Sequence, residues 1–247
     1  MLMLHGAGGS GHSFRHLIPL LSDYRLIVPD LPGQGLTRTR PGARFGLAPM
    51  TRDVAALCDA LEVRPTWLIG HSAGAAIALN LARQVAPRGV IGINAALGTF
   101  EGVAGVLFPL MARALALLPL VPSVVSRVWG NEASVARLLS STGSRLDAAG
   151  QAQYLALVRR SDHVAGTLGM MAAWDLRALN EALPGLDIPT LLIASEDDRT
   201  VPARVSREAA ARMVQAEVCI LPGGGHLVHE VDADAAAARI IAFVQSH

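Results

Sequence analysis

The chain has 247 residues, of which 51% are hydrophobic and 17% charged, and its formal net charge is +1. This length and composition can bury a large core, and they argue against intrinsic disorder. The sequence has no long basic block to attract phosphates, which argues against a nucleic-acid-binding protein.

Cys58 and Cys219 are the two cysteines of the sequence, and neither lies at a spacing typical of metal ligands. The sequence therefore predicts neither a disulfide framework nor a metal site, as is typical of the cytoplasm. The most lipophilic stretch, Ala114–Ser126, contains two prolines and is too short to span a bilayer. Peripheral attachment of this stretch to a membrane surface stays open as an alternative.

Short apolar runs alternate with helical patterns along much of the chain, and continuous runs of this kind are typical of strands buried on both faces. They cover Leu2–Leu4, Arg25–Asp30, Thr66–Gly70, Gly89–Ala95, Pro189–Ala194 and Glu217–Leu221. The alternation predicts an α/β fold in which a mostly parallel central sheet is covered by helices on both faces.

The first apolar run is followed by the glycine-rich segment HGAGGSG, residues 5–11. If a serine further along the chain acts as a nucleophile, the backbone N–H groups of Ala7 and Ala73 are candidates for its oxyanion hole. A phosphate-binding loop is the alternative interpretation, but the segment lacks the lysine of a P-loop.

The segment GHSAG, residues 70–74, lies where an apolar run ends and a helical pattern begins. In a G-x-S-x-G turn at such a junction, a side chain at Gly70 or Gly74 would collide with the backbone. The turn exposes the hydroxyl of Ser72, and the N-terminus of the following helix favours negative charge there. We interpret Ser72 as a nucleophile, with a purely structural turn as the alternative.

The alternation stops from about residue 98 to residue 185, where leucine-, methionine- and alanine-rich helical segments are interrupted by prolines. We therefore divide the chain into a core, residues 1–97 and 186–247, and an inserted helical cap, residues 98–185. Phe100, Met170 and Trp174 of this cap are candidates for binding a substrate. The alternative is that they pack the cap onto the core, as apolar residues at helical spacing commonly do.

A serine at its ordinary pKa is a weak nucleophile, so it needs a base that is oriented by an acid. Glu196, Asp197 and Asp198 follow the fifth apolar run, and we choose Asp198 as the acid, with Asp197 as the fallback. His226 follows the last run in the glycine-rich turn of LPGGGHLVHE, and we prefer it as the base. Its rival is His229, whose position at the start of a predicted helix favours a supporting or surface role.

The order of serine, acid and histidine resembles that of the α/β-hydrolase superfamily over nearly the whole chain. The segment VPDLPGQG, residues 28–35, also resembles a loop of that superfamily, although Gln34 stands where histidine is more usual. The cap segments STGSRLDAAG and GMMAAWDL resemble the magnesium-chelatase accessory proteins of bacteriochlorophyll biosynthesis. This resemblance implies an α/β-hydrolase fold with two further strands before Leu2–Leu4, so we expect the native chain to start upstream.

These motifs and the resemblance lead us to expect a serine hydrolase that acts on a lipophilic ester or acyl compound near magnesium insertion into protoporphyrin. It needs no cofactor and no metal. The expected partners are a small lipophilic substrate, with a tetrapyrrole as one candidate, and magnesium chelatase; the expected location is the cytoplasm or a membrane surface. The alternative is a non-catalytic tetrapyrrole-binding or chelatase accessory protein that retains the triad. A lyase or a cofactor-free haloperoxidase is also compatible with the same three residues.

Overall fold

The computed structural model describes residues 1–39, 44–98 and 120–247. In these residues the strands form one five-stranded sheet with the order β1-β2-β3-β4-β5, and every neighbouring pair is parallel. The strands are β1 (Leu2–Leu4), β2 (Trp67–His71), β3 (Gly89–Ile93), β4 (Thr190–Ser195) and β5 (Ala216–Leu221). The predicted parallel sheet is confirmed, and the carboxyl ends of its strands meet at one edge, where α/β proteins bind their ligands.

Successive strand residues point to opposite sides of the sheet. Both sides carry buried side chains, so both faces of the sheet are buried. Leu2 and Leu68 belong to one apolar cluster, while Met3 and Ile69 belong to the other. A sheet with two buried faces needs no polar alternation along its strands, which is why these strands read as continuous apolar runs.

Helices cover both faces of this sheet. The α-helices of the described residues, those of the sheet faces and the others together, are α1 (Leu17–Leu20), α2 (Leu47–Ala60), α3 (Ala73–Val85), α4 (Val121–Trp129), α5 (Glu132–Ser141), α6 (Ala148–Val158), α7 (Ser161–Ala173), α8 (Arg177–Ala182), α9 (Ala203–Ala210), α10 (Val228–Val231) and α11 (Ala233–Ser246). Side chains of α2, α3 and α9 complete the first cluster, and side chains of α1 and α11 complete the second.

The predicted strand Arg25–Asp30 is wrong, because this segment pairs with the sheet only at Ile27, through an isolated bridge to Leu2. The N–H of Met3 donates to the carbonyl of Ile27 at 2.8 Å, and the N–H of Ile27 donates to the carbonyl of Met1 at 2.9 Å. Pro29 has no N–H to donate, and β1 is only three residues long, so the pairing ends there.

The described residues between β3 and β4 include 120–185, which we call the helical block; it contains α4 to α8 and no strand. Residues 99–119, which belong to the predicted cap, lie outside the described part of the chain. The assignment of residues 98–185 as an inserted cap therefore stays a prediction. Across the described ranges, no helix has both the length and the apolar character that crossing a membrane requires.

Candidate active site

Ser72 lies at the junction of β2 and α3 in a strained backbone conformation, with φ +52° and ψ −118°. A Cβ on Gly70 would lie 2.4 Å from the backbone nitrogen of Ala75, and a Cβ on Gly74 would lie 2.1 Å from the carbonyl oxygen of Leu4. Only glycine therefore fits at either position. A positive φ at a residue other than glycine costs about 1–3 kcal/mol and is typical of functional sites.

Ser72, His226 and Asp198 form a continuous row of hydrogen bonds. The hydroxyl of Ser72 donates to His226 Nε2 at 3.0 Å, and His226 Nδ1 donates to Asp198 Oδ2 at 2.7 Å. An ionised carboxylate only accepts hydrogen bonds, so Asp198 fixes the imidazole tautomer that leaves Nε2 free to accept the serine proton. The structure thus brings together the three side chains that the sequence singled out.

Asp198 is held rigidly for this contact. Its side chain is fully buried, and its Oδ1 accepts hydrogen bonds from the backbone N–H groups of Thr200 at 2.7 Å and Val201 at 2.9 Å. With Oδ1 occupied, Oδ2 is the oxygen that faces His226. The TVP segment after the aspartate therefore fixes the orientation of the carboxylate.

Asp197, the fallback acid, makes different contacts. It is exposed, and its Oδ1 accepts hydrogen bonds from the hydroxyl of Ser195 at 2.6 Å and from the N–H of Gly225 at 2.8 Å. The hydrogen bond from Ser195 is the main reason why the pKa of Asp197 lies below its ordinary value. Asp197 therefore holds the loop of the base, whereas Asp198 contacts the base itself.

Two further side chains, which the sequence did not single out, hold the backbone of His226. The carbonyl of His226 accepts a hydrogen bond from Asn94 Nδ2 at 2.9 Å and another from His71 Nε2 at 2.8 Å. Asn94 also accepts a hydrogen bond from the N–H of Ser195 at 2.8 Å, so it joins the end of β4 to the base loop. A polar residue directly after the buried strand β3 was the available signal.

His229, the rival base, is fully buried, so of its two predicted roles the surface one is wrong and the supporting one stays a prediction. Its ring lies against that of His71, with 4.3 Å between the centroids, and against that of Phe14. Neither ring nitrogen has a hydrogen-bond partner within the described part of the chain. It is His226, and not His229, that bonds to Ser72.

The glycine-rich turn after β1 packs directly on Ser72. A Cβ on Gly6 would lie 3.0 Å from the Cβ of Ser72, so the backbone here is as close as it can come. Ala7 follows in this exposed turn, and Ala73 is the buried first residue of α3. This arrangement is typical of an oxyanion hole, and the role of the two amides stays a prediction.

Side chains from two other segments hold this turn in place. His5 Nε2 accepts a hydrogen bond from the N–H of Leu31 at 2.9 Å. Gln34 Oε1 accepts one from the N–H of Gly8 at 2.7 Å, and Gln34 Nε2 donates to the sulfur of Met170 at 3.1 Å. Gln34, which stands in place of the more usual histidine, therefore connects the turn to helix α7.

The candidate substrate-binding residues lie in different surroundings. Met170 is 1% exposed and belongs to the first core cluster, and Trp174 is partly buried against the same cluster. Phe100 lies outside the described residues. The burial of Met170 agrees with the packing alternative, and contact of these residues with a substrate stays a prediction.

This arrangement places a hydroxyl, an imidazole and a carboxylate in the order that acyl transfer by a serine requires, and their catalytic roles stay a prediction. In the described ranges, no group of three or more histidine, cysteine, aspartate or glutamate residues is arranged to hold a metal ion.

Buried histidines make the folded state sensitive to acid. Burial lowers the pKa of His5 and of His12 to about 4 and that of His229 to about 3, and it lowers the pKa of His71 well below 6.5. Burial has the opposite effect on Glu230 and raises the pKa of its carboxyl to about 7. Below about pH 6.5 the unfolded chain binds four protons at these histidines that the folded chain does not bind, whereas folded Glu230 binds one proton that the unfolded chain releases.

The net difference of about three protons predicts that the free energy of unfolding falls by about 4 kcal/mol per pH unit between about pH 6 and pH 5. The stabilisation is complete above the unfolded pKa and is lost as the pH falls. Urea unfolding at several pH values measures this slope. The His229→Leu variant removes one histidine and should lower the slope by about 1.4 kcal/mol per pH unit, whereas a flat dependence for the unsubstituted chain would contradict the account.

Comparison with known proteins identifies the family. The sequence profile of the alpha/beta hydrolase fold matches residues 1–233. The magnesium-chelatase 30 kDa subunit of Rhodobacter capsulatus is 51% identical over 246 residues, which cover 99% of this chain and 86% of that protein. The predicted resemblance to chelatase accessory proteins is confirmed by this match.

Solved structures agree on the fold. An esterase from Thermogutta terrifontis has 21% sequence identity and a TM-score of 0.78, over 99% of this chain and 89% of that one. A bromoperoxidase from Bacillus anthracis has 18% identity and a TM-score of 0.82, over 99% and 91% of the two chains. The profile match over most of the chain shows that this protein belongs to the alpha/beta hydrolase fold family.

Proposed function

We propose that the chain is a serine hydrolase that cleaves a lipophilic ester or a related acyl compound. The observation that carries this proposal is the row of hydrogen bonds from Ser72 through His226 to Asp198, at 3.0 and 2.7 Å, on a strained turn. A turn with a purely structural role would not require a buried imidazole and carboxylate that are hydrogen-bonded in a row to its serine.

In the proposed reaction Ser72 Oγ bonds to the carbonyl carbon of the substrate while its proton passes to His226 Nε2. The amides of Ala7 and Ala73 donate hydrogen bonds to the oxyanion. His226 then gives the proton to the leaving alkoxide as the ester C–O bond breaks. Water attacks the acyl-serine, His226 takes a proton from that water, and the acid leaves as Ser72 regains its proton.

The lipophilic character of the substrate is proposed from the surface of the helical block. Five of its large apolar side chains are more than half exposed. They are Leu120, Val124, Val128, Trp129 and Leu138. A surface with this many exposed apolar side chains supports contact with a lipophilic molecule or a membrane surface.

Hydrolysis of p-nitrophenyl esters tests the proposed activity. We expect kcat/KM to be at least about tenfold higher for the octanoate than for the acetate, because each buried methylene contributes about 0.8 kcal/mol. The release of p-nitrophenol, measured by absorbance, gives both constants.

The Ser72→Ala variant is the control for this experiment, and it should lower kcat by a factor on the order of 10⁶. Alanine keeps the packing of the turn, so its thermal unfolding should stay close to that of the unsubstituted chain. Equal hydrolysis by both proteins would contradict the proposal.

A second function, that of a magnesium-chelatase accessory protein, is favoured by one observation. The relative that is 51% identical over nearly the whole chain is named a magnesium-chelatase subunit. We propose that this protein also associates with magnesium chelatase, near magnesium insertion into a tetrapyrrole, in the cytoplasm or at a membrane surface. This association does not require Ser72 to react.

Fluorescence titration with protoporphyrin tests the second function separately. Binding that is equal in the unsubstituted chain and in Ser72→Ala supports an accessory that carries the pigment. If neither protein binds the porphyrin but the esters are cleaved, the pigment-carrying role fails and the hydrolase proposal is supported.

A further inference from the structure

The helical block contacts the loops of both the acid and the base through one short turn, residues 142–144, which follows α5. The carbonyl of Thr142 accepts a hydrogen bond from the N–H of His226 at 3.1 Å and another from the N–H of Arg199 at 3.3 Å. Arg199 directly follows Asp198, so a single carbonyl joins the two loops that carry the acid and the base. The turn belongs to the STGS segment, whose role the catalytic row leaves unexplained.

Ser144 holds the chain on either side of His226. Its hydroxyl donates to the carbonyl of Gly224 at 2.9 Å and accepts a hydrogen bond from the N–H of Leu227 at 2.8 Å. Ser144 is 1% exposed. Without this hydroxyl, the buried N–H of Leu227 and the part-buried carbonyl of Gly224 would lose this partner, which is costly for the buried N–H because water has little access to it.

Two glycines allow this close approach. Gly143 has φ +87° and Gly225 has φ +64°. A Cβ on Gly143 would lie 2.5 Å from the carbonyl oxygen of Asp197, and a Cβ on Gly225 would lie 2.3 Å from the carbonyl carbon of Gly143. The turn and the two loops therefore meet backbone to backbone, which leaves the base loop little freedom to shift.

Apolar packing anchors the same loop to the block. Leu227, which directly follows the base, is buried in a third cluster with side chains from the helical block. Its buried partners are Val135, Leu139, Leu146 and Leu155. The base loop is thus held by the block through hydrogen bonds and through apolar contacts.

We propose that Ser144 is a positioning residue for His226, which it holds in line between Ser72 and Asp198 through the backbone on both sides of the base. The effect of Ser144 on the reaction at Ser72 rests on the proposed hydrolase function. The helical block would then be a structural part of the active site, because it holds the loop that carries His226.

Inactivation by a fluorophosphonate probe tests this role, because it separates probe affinity from the rate constant of the reaction at Ser72. In Ser144→Ala the rate constant should fall about 10- to 100-fold, the loss expected for a misplacement near 1 Å. The probe affinity should change less than about twofold, since Ser144 does not contact Ser72.

Ser141→Ala is the matched control. Ser141 is exposed at the end of α5, three residues before Ser144, and its hydroxyl donates within that helix to the carbonyl of Leu138. This variant should react like the unsubstituted chain. If Ser144→Ala does not fold, Ser144→Cys keeps the shape but weakens both hydrogen bonds, and it should show the same loss of rate constant.

Proton NMR gives a readout that does not depend on activity. The Nδ1–H proton of His226, protected by its hydrogen bond to buried Asp198, should give a low-field signal that is absent from His226→Gln. We expect this signal to weaken or disappear in Ser144→Ala and to persist in Ser141→Ala.

The outcomes separate the two proposals. An unchanged signal together with an unchanged rate constant in folded Ser144→Ala or Ser144→Cys would overturn the positioning role. If the unsubstituted chain gives the signal but does not react with the probe, the hydrolase proposal fails, and the loss of the signal in Ser144→Ala still supports the positioning role.

Discussion

Replacement of His226 with glutamine is expected to lower kcat for ester hydrolysis by a factor on the order of 10⁶. The imidazole is the group that accepts the Ser72 proton, and its Nε2 lies 3.0 Å from the hydroxyl. Glutamine has no titratable nitrogen, so Ser72 keeps a neutral, weakly nucleophilic hydroxyl. Steady-state kinetics with the octanoate ester measure the loss.

His229→Leu is the matched control for the His226 variant. His229 is just as buried, but its ring nitrogens lack partners in the described chain, so leucine removes no hydrogen bond there. We expect kcat to stay within about tenfold of the unsubstituted value. If His229→Leu abolished hydrolysis and His226→Gln did not, our assignment of the base would be reversed.

The second large loss of kcat is expected when Asp198, the proposed orienting acid, is replaced. Asp198→Asn should lower kcat by about 10⁴-fold, because an amide in place of the carboxylate favours the wrong imidazole tautomer. Asp198 Oδ2 lies 2.7 Å from His226 Nδ1. Within the described residues, this carboxylate is the one charged group that pairs with the imidazole of His226. The fold should persist, because the asparagine side chain keeps an oxygen that can accept hydrogen bonds from the N–H groups of Thr200 and Val201.

Asp197→Asn provides the comparison for the acid. Its Oδ1 would still accept hydrogen bonds from Ser195 and Gly225, so the loop should keep its position and kcat should fall by less than about tenfold. Each of the two variants removes one negative charge, and the two positions are neighbours in the chain. Equal losses of kcat would show that the effect is electrostatic at long range, and they would argue against Asp198 as the orienting acid.

The nucleophile turn could be predicted from the sequence because its constraints are local. Gly70 and Gly74 are required by backbone atoms within a few residues or on the neighbouring strand, so the five-residue pattern carries the geometry. Asp198 and His226 could be predicted because each follows an apolar run, and parallel strands bring such loops to one edge of the sheet.

Other parts of the site depend on contacts between distant segments and could not be predicted. The hydrogen bonds of Ser144 join residues about eighty positions apart, and nothing in the segment STGS indicates which loop it meets. Asn94 and His71 hold the backbone of the base, and no spacing in the sequence relates them to it. Likewise, Arg25–Asp30 has the composition of a strand but makes only one bridge.

The central claim is that Ser72 is an activated nucleophile, and labelling with a fluorophosphonate probe tests it most directly. The folded chain is incubated with the probe, and mass spectrometry of the digested protein locates the adduct. The account predicts an adduct on the Ser72 peptide of the native protein and none in heat-denatured protein or in Ser72→Ala. Folded protein that carries no adduct at Ser72 would contradict the account and would leave the chelatase accessory as the favoured function.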